Sequence, residues 1–144
     1  MVAQLAGALI GVIATHLMFD MSLFQVATNV RSSFGLWSAE LIATFGLVAT
    51  IFLTLHANAQ SIPTMVGLYV AAGIWFTAST CFANPAVTIA RGFTNTFTGI
   101  RPFDMPPFII AQFLGGVLAV LAVRALTKAV HGSTSNVPHN EPVG

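Results

Sequence analysis

The sequence predicts an all-α membrane protein: four transmembrane helices plus one re-entrant half-helix. Three observations lead there. Five Lys or Arg and four Asp or Glu make up 6% of the 144 residues, whereas soluble domains carry about 25% charged residues. The hydrophobic fraction is 56%, and it is gathered into four runs of about 20 residues, the length that crosses a bilayer. A further segment is too short to cross and opens on Asn-Pro. So few charges cannot coat a water-soluble surface, which excludes a soluble globular enzyme. The net charge of +1 also argues against nucleic acid, whose binding needs basic patches. A single cysteine excludes a disulfide framework and a cysteine-built metal site.

The four spans are Met1–Phe19, Leu36–Leu55, Met65–Ala83 and Pro107–Leu126. The first opens without a basic stretch, so it does not read as a separate signal peptide. Glu40 is the one formal charge in these windows besides Arg124, at the end of the last. Asp20–Gly35 is a polar loop, and His56–Thr64 is a tight connection containing Pro63. Residues after Lys128 are polar and rich in Pro and Gly, the composition of a disordered tail. Residues 1–127 therefore read as the membrane domain and 128–144 as a disordered tail.

Asn84–Phe103 is the segment that cannot cross. Asparagine is a favoured N-cap and proline suits the first helical position. A helix of about three turns is expected over Ala86–Phe97, closed by Gly99 and Pro102. A short helix directly after a span suggests a re-entrant element, tolerated at membrane depth only where protein or a water-filled cavity surrounds it. Counting basic residues in the loops gives three against two and does not fix the orientation.

Ala3-Gln4-Leu5-Ala6-Gly7 matches Ala111-Gln112-Phe113-Leu114-Gly115 at an offset of 108 residues, and Gly11-Val12 lies opposite Ala119-Val120. The paired glutamines weigh most, because a polar side chain in a span must find a partner. Two-fold repeats of this kind build many channels and transporters. On that reading the counterparts of Glu40 and Asn84 fall upstream of Met1. The sequence then reads as truncated by about 100 residues.

Asn84-Pro85-Ala86 is the most informative triplet. A helix N-terminus at the bilayer midplane offers unpaired N–H groups and about half a positive charge, which orients hydroxyls and repels cations. Thr80–Arg91, TCFANPAVTIAR, resembles the major intrinsic protein family, the aquaporins and aquaglyceroporins. Ala3–Gly11, Ala39–Phe52 and Ala111–Gly116 add AQLAGALIG, AELIATFGLVATIF and AQFLGG. The resemblance runs from Val2 to about Leu126 and is similar to the bacterial members associated with arsenic resistance. It implies the back portion of a six-helix aquaporin fold, its third to sixth spans and second half-helix. The first two spans and the first half-helix would be missing. It also implies a passive channel in the plasma or inner membrane, a homotetramer when complete, with cytoplasmic termini, no cofactor and no catalytic residue. Its partners would be the lipid bilayer and small uncharged solutes.

Carried over residue by residue, the resemblance makes Asn84 the pore asparagine, with Pro85 and Ala86 holding its helix end. It assigns Ala72, Cys81 and Val87 to the selectivity filter. Val87 stands where the family usually has arginine, which implies a wider, uncharged filter suited to polyols or trihydroxy metalloid acids, arsenite above all. Arg91, one helical turn beyond Val87 on the same face, either replaces part of the lost charge or extends to the interface. Glu40 is implied to accept hydrogen bonds from the backbone around Cys81–Ala83.

The remaining candidates read as structural. Gly7 and Gly11, with Ala3, form a small-residue stripe for close helix packing. His16 and His56 sit at span ends, and Trp37 and Trp75 are lipid-facing or interfacial anchors. Cys81 would be open to mercurials if it lined the pore. Exposed polar groups are expected at Gln4 and around Cys81–Asn84, because the absent spans would cover that face. No nucleophile–base pair, metal cluster or phosphate loop suggests an enzyme. The competing readings are a non-conducting fragment or remnant, and an interaction subunit that modulates a full-length homologue.

Overall fold

The computed structural model describes residues 2–134. Five α-helices follow in order: α1 (Val2–Met18), α2 (Phe34–Ala57), α3 (Ile62–Phe76), α4 (Pro85–Ala90) and α5 (Met105–Thr134). No strand occurs among the described residues. The chain is an all-α, multi-pass membrane protein. Three helical stretches are long and apolar enough to cross a bilayer, Phe34–Ala57, Ala59–Phe76 and Pro102–Ala129. The fourth expected span, α1, has 17 residues and is shorter.

Local chemistry sets the boundaries. Ser33 is extended and its Oγ accepts the Leu36 N–H at 3.2 Å, so it caps α2, satisfying an N–H the helix cannot pair internally. At the other end the Asn58 N–H reaches the Thr54 carbonyl, while its Oδ1 accepts the Gln60 N–H at 3.1 Å and starts a 3-10 turn over Ala59–Ser61. One asparagine therefore closes α2 and opens the connection to α3. Pro63 sits in the first turn of α3, where its missing N–H costs nothing.

Helix α2 is the centre of the packing. Against α5 the two backbones meet at Gly115, whose Cβ, if present, would overlap the Leu41 carbonyl. Against α3 the Tyr69 hydroxyl donates to the Ala43 carbonyl at 3.0 Å, and the missing Cβ of Gly46 leaves room for that ring. Two small cores flank α2. Ala43, Cys81 and Ala83 form one with Leu47 and Tyr69 against them, and Phe82, Ile100 and Phe108 form the other. Helix α1 stands on α4.

The structure corrects several boundaries. Helix α3 ends at Phe76 and not at Ala83: Thr77 is extended, with its N–H and hydroxyl both still bonded to the Gly73 carbonyl, and the backbone beyond it is taken up by Arg31 and Glu40. The half-helix is six residues, followed by a 3-10 turn over Arg91–Phe93, and does not reach Phe97. Its continuation is blocked because the Arg91 carbonyl accepts from Ile100 N–H and the Gly92 carbonyl from Ala27 N–H. Helix α5 runs through Lys128 to Thr134 without a break, so the expected tail boundary at 128 falls inside a helix. The rest of that tail lies outside the described residues. The Gly7 and Gly11 stripe meets no neighbour, so the close packing expected there is not made within this chain.

Candidate functional site

Between α3 and α4 the chain crosses its core without regular structure. Thr80, Cys81 and Ala83 all have positive φ, at 65°, 50° and 47°. None is glycine, and each such residue costs about 1–3 kcal/mol unless its surroundings hold it. Glu40 supplies the hold. It is fully buried on α2; its Oε1 accepts the Phe82 N–H at 2.9 Å and its Oε2 the Ala83 N–H at 3.0 Å. Gln112 of α5 donates Nε2 to the same Oε2 at 2.7 Å and to Thr88 Oγ1 at 2.8 Å. Thr88 in turn donates to the Asn84 carbonyl at 3.1 Å. One polar chain thus ties α2, α5 and α4 to the irregular run; it satisfies the Glu40 carboxylate while Gln112 Oε1 is buried without a partner, and buried polar groups are stabilising only where satisfied.

The opposite side is fastened by Arg31, from the loop between α1 and α2. Its guanidinium donates to the carbonyls of Gly99, Ser79 and Phe97 at 2.8, 3.3 and 3.0 Å. Its backbone N–H reaches Asp104 Oδ2 at 2.8 Å. Burial pushes the Arg31 guanidinium below its ordinary pKa, and the Glu40 charge pushes back. Two guanidinium groups stand over the Phe82 ring, with Arg31 Cζ 5.1 Å and Arg91 Cζ 4.1 Å from its centroid, both within cation–π range. Arg91 also donates to Thr80 Oγ1 at 3.2 Å.

Asn84 is extended and caps α4, its Oδ1 accepting the Ala86 N–H at 2.8 Å. The side chain spends its oxygen on the helix, so its amide N–H₂ is the end left for another partner. Asn84, Pro85 and Ala86 line one cleft of about 310 Å³ with Gln4 and Phe113. Val87 and Arg91 line a second of about 350 Å³, together with His16, Thr94, Thr96 and Thr98. The structure therefore brings Val87 and Arg91 together, and Arg91 turns inward over Phe82. Cys81 sits between Thr80 and Phe82, both of which Arg91 touches, but it does not line that cleft, and neither does Ala72. Cys81 is 4% exposed, with Sγ 2.7 Å from where a Gly73 Cβ would stand. Ala72 is on the exposed face of α3. Cys81–Ala83 are buried by Glu40 and the cores rather than exposed as expected, whereas Gln4 is exposed. Trp75 is 89% exposed, as a lipid-facing residue would be. The Trp37 ring instead packs on the Phe82 core with its Nε1 buried and unpartnered.

Sequence reasoning missed the parts played by Arg31 and Thr88 and weighed Gln112 only as half of a repeated pair. The signal for Gln112 was there: an amide within an apolar span needs a partner. Nothing in the sequence marked Arg31 beyond its charge.

An asparagine-capped half-helix, set on a braced run between membrane helices, defines a polytopic membrane protein with a re-entrant polar site. The family model described as Major intrinsic protein matches residues 57–143. The chain belongs to the major intrinsic protein family. It is 50% identical over 127 residues to the aquaglyceroporin AqpS of Rhizobium meliloti (strain 1021), across 88% of this chain and 54% of that protein. The chain thus spans about half the length of this curated relative. No solved structure matches it significantly.

Proposed function

We propose that the chain contributes to a passive channel for small uncharged solutes, with no enzymatic step. Asn84 carries the reading: its oxygen is committed to capping α4, which leaves an amide donor on a cleft beside the positive end of a short helix. A donor of that kind passes hydroxyl-bearing solutes and opposes cations. The likeness to an aquaglyceroporin supports solutes larger than water. Val87, small and apolar, supports the same selectivity, and trihydroxy metalloid acids such as arsenite join glycerol in the proposed range. Glu40 acts as the brace, Arg91 supplies the cation at the Val87 cleft, and Cys81 and Ala72 flank the route. A homotetramer is the assembly proposed for the channel.

The test is solute uptake into vesicles carrying the protein, read by light scattering for glycerol and by elemental analysis for arsenite. Val87→Arg is expected to lower glycerol and arsenite flux about tenfold, the scale of a closed apolar gap of about one side chain. Asn84→Asp should abolish flux by turning the donor into an acceptor. Arsenite flux unchanged by Val87→Arg would overturn the filter assignment. Absence of flux at equal membrane insertion would favour the non-conducting fragment or the modulating subunit, and co-purification with a longer homologue separates those two.

A further inference from the structure

The Val87–Arg91 cleft has a wall that the channel reading does not use. His16 is fully buried at the end of α1, with Nδ1 3.1 Å from the Leu23 carbonyl oxygen and Nε2 2.9 Å from Thr94 Oγ1. Thr94 Oγ1 lies 3.3 Å from Thr96 Oγ1, and Thr96 Oγ1 lies 3.1 Å from Thr98 Oγ1. One imidazole and three hydroxyls form an unbroken row, and all four residues line the cleft.

The chemistry of the row gives it a direction. A carbonyl only accepts, so Nδ1 must carry the proton that bonds Leu23. In a neutral imidazole Nε2 then only accepts, so the Thr94 hydroxyl donates to it. With its one proton spent, Thr94 accepts from Thr96, and Thr96 accepts from Thr98. Every hydroxyl points toward His16, and Thr98 meets the cleft with its lone pairs while donating inward. A second proton on the ring makes Nε2 a donor. Thr94 must then accept, its own proton turns to Thr96, that of Thr96 to Thr98, and Thr98 presents an O–H to the cleft.

We propose that His16 is a positioning residue that sets the hydrogen-bond polarity of the Thr94–Thr96–Thr98 row, and that protonating it reverses that polarity. The surrounding charges are few. On the packed elements the ionisable group lining the cleft is Arg91; α4 contributes Val87 and Ala90 there, and α1 carries no ionisable side chain besides His16. The loop after α1 holds exposed Asp20 and also Arg31, whose guanidinium is bound to three carbonyls. Arg91 is a donor in either state, so the reversible partner at this wall is Thr98. The neutral state pairs an Arg91 donor with a Thr98 acceptor, which suits a solute bearing both kinds of group. The acid state presents donors on both sides and suits an acceptor.

Two readouts test this on the full chain in vesicles or nanodiscs. Nitrogen-15 NMR of the neutral His16 ring, assigned by loss of the signal in His16→Gln, should show the Nδ1–H tautomer. The Nε2–H tautomer would overturn the proposal. The flux readout rests on the channel reading: the ratio of uptake of urea, rich in donors, to dimethyl sulfoxide, an acceptor only, corrected for protein-free vesicles. It should fall about threefold between the pH at which the NMR signal reports a neutral ring and the pH at which it reports a charged one, the worth of one hydrogen bond. His16→Gln and Thr98→Val should each flatten that ratio, whereas His56→Gln, on the far end of α2, should not. A constant ratio in a conducting protein sinks the idea. If no solute passes at any pH, the channel reading fails while the ring tautomer still decides the proposal.

Discussion

At the scale of single residues, Glu40 concentrates the most consequence in the fewest atoms. Its two oxygens receive two backbone N–H groups and one side-chain amide, so they hold the left-handed backbone at Cys81 and Ala83 and fix Gln112. Glu40→Gln replaces one acceptor oxygen with an N–H₂ group facing donors. At least one buried donor is then unmatched, at about 1–3 kcal/mol, with further loss because the members act as a network. Unfolding in detergent should show a loss of about 2–4 kcal/mol relative to the parent. Glu40→Asp, which keeps both oxygens on a shorter stem, should recover part of it. An unfolding curve unchanged in Glu40→Gln would mean that the irregular run holds its shape without the carboxylate.

At the scale of elements, what could be read from the sequence depended on whether a boundary had a local cause. The asparagine cap and N1 proline of α4 were legible because the residue types act within one turn. The end of α3 was not. Thr77–Ala83 holds no glycine or proline, and the backbone groups that would extend the helix are taken by distant side chains, the Ser79 carbonyl by Arg31 and the Phe82 and Ala83 N–H groups by Glu40. The half-helix was overestimated for a similar reason: the Arg91 and Gly92 carbonyls are taken by Ile100 and Ala27, distant in sequence. Positive φ at three non-glycine residues has no composition signature, because its cause lies on another helix. The α2–α5 contact is legible in hindsight in the AQFLGG string, since Gly115 meets the Leu41 carbonyl. Gly115→Ala should cost about 1–3 kcal/mol by prising these helices apart, measured as a lowered unfolding midpoint. Gly116→Ala serves as its comparison, since the nearest atom there, a Val48 methyl, is 3.9 Å away, and it should be nearly neutral.

At the scale of the whole molecule, large apolar side chains face outward, from Ile10 and Leu17 on α1 to Val117 and Leu121 on α5, while the buried network of Glu40, Gln112 and Thr88 gathers at α4. That is the inversion of a soluble protein, and it explains why composition alone settled the membrane class. Within the seam, the guanidinium groups of Arg31 and Arg91 both stand over the Phe82 ring, with the carboxylates of Glu40 and Asp104 nearby. The ring lets two like charges stand close together in a buried setting, where Coulomb forces are stronger than in water. The consequence is electrical. On the proposed channel reading these guanidinium groups stand along the solute route as fixed positive charge, and sodium, potassium and hydronium ions would meet them as a barrier. Vesicles containing the protein should therefore hold a potassium diffusion potential, read with a voltage-sensitive dye, as long as protein-free ones do. Phe82→Ala, which strips both guanidinium groups of their shared ring while Arg31 keeps its three carbonyl bonds, should shorten that lifetime.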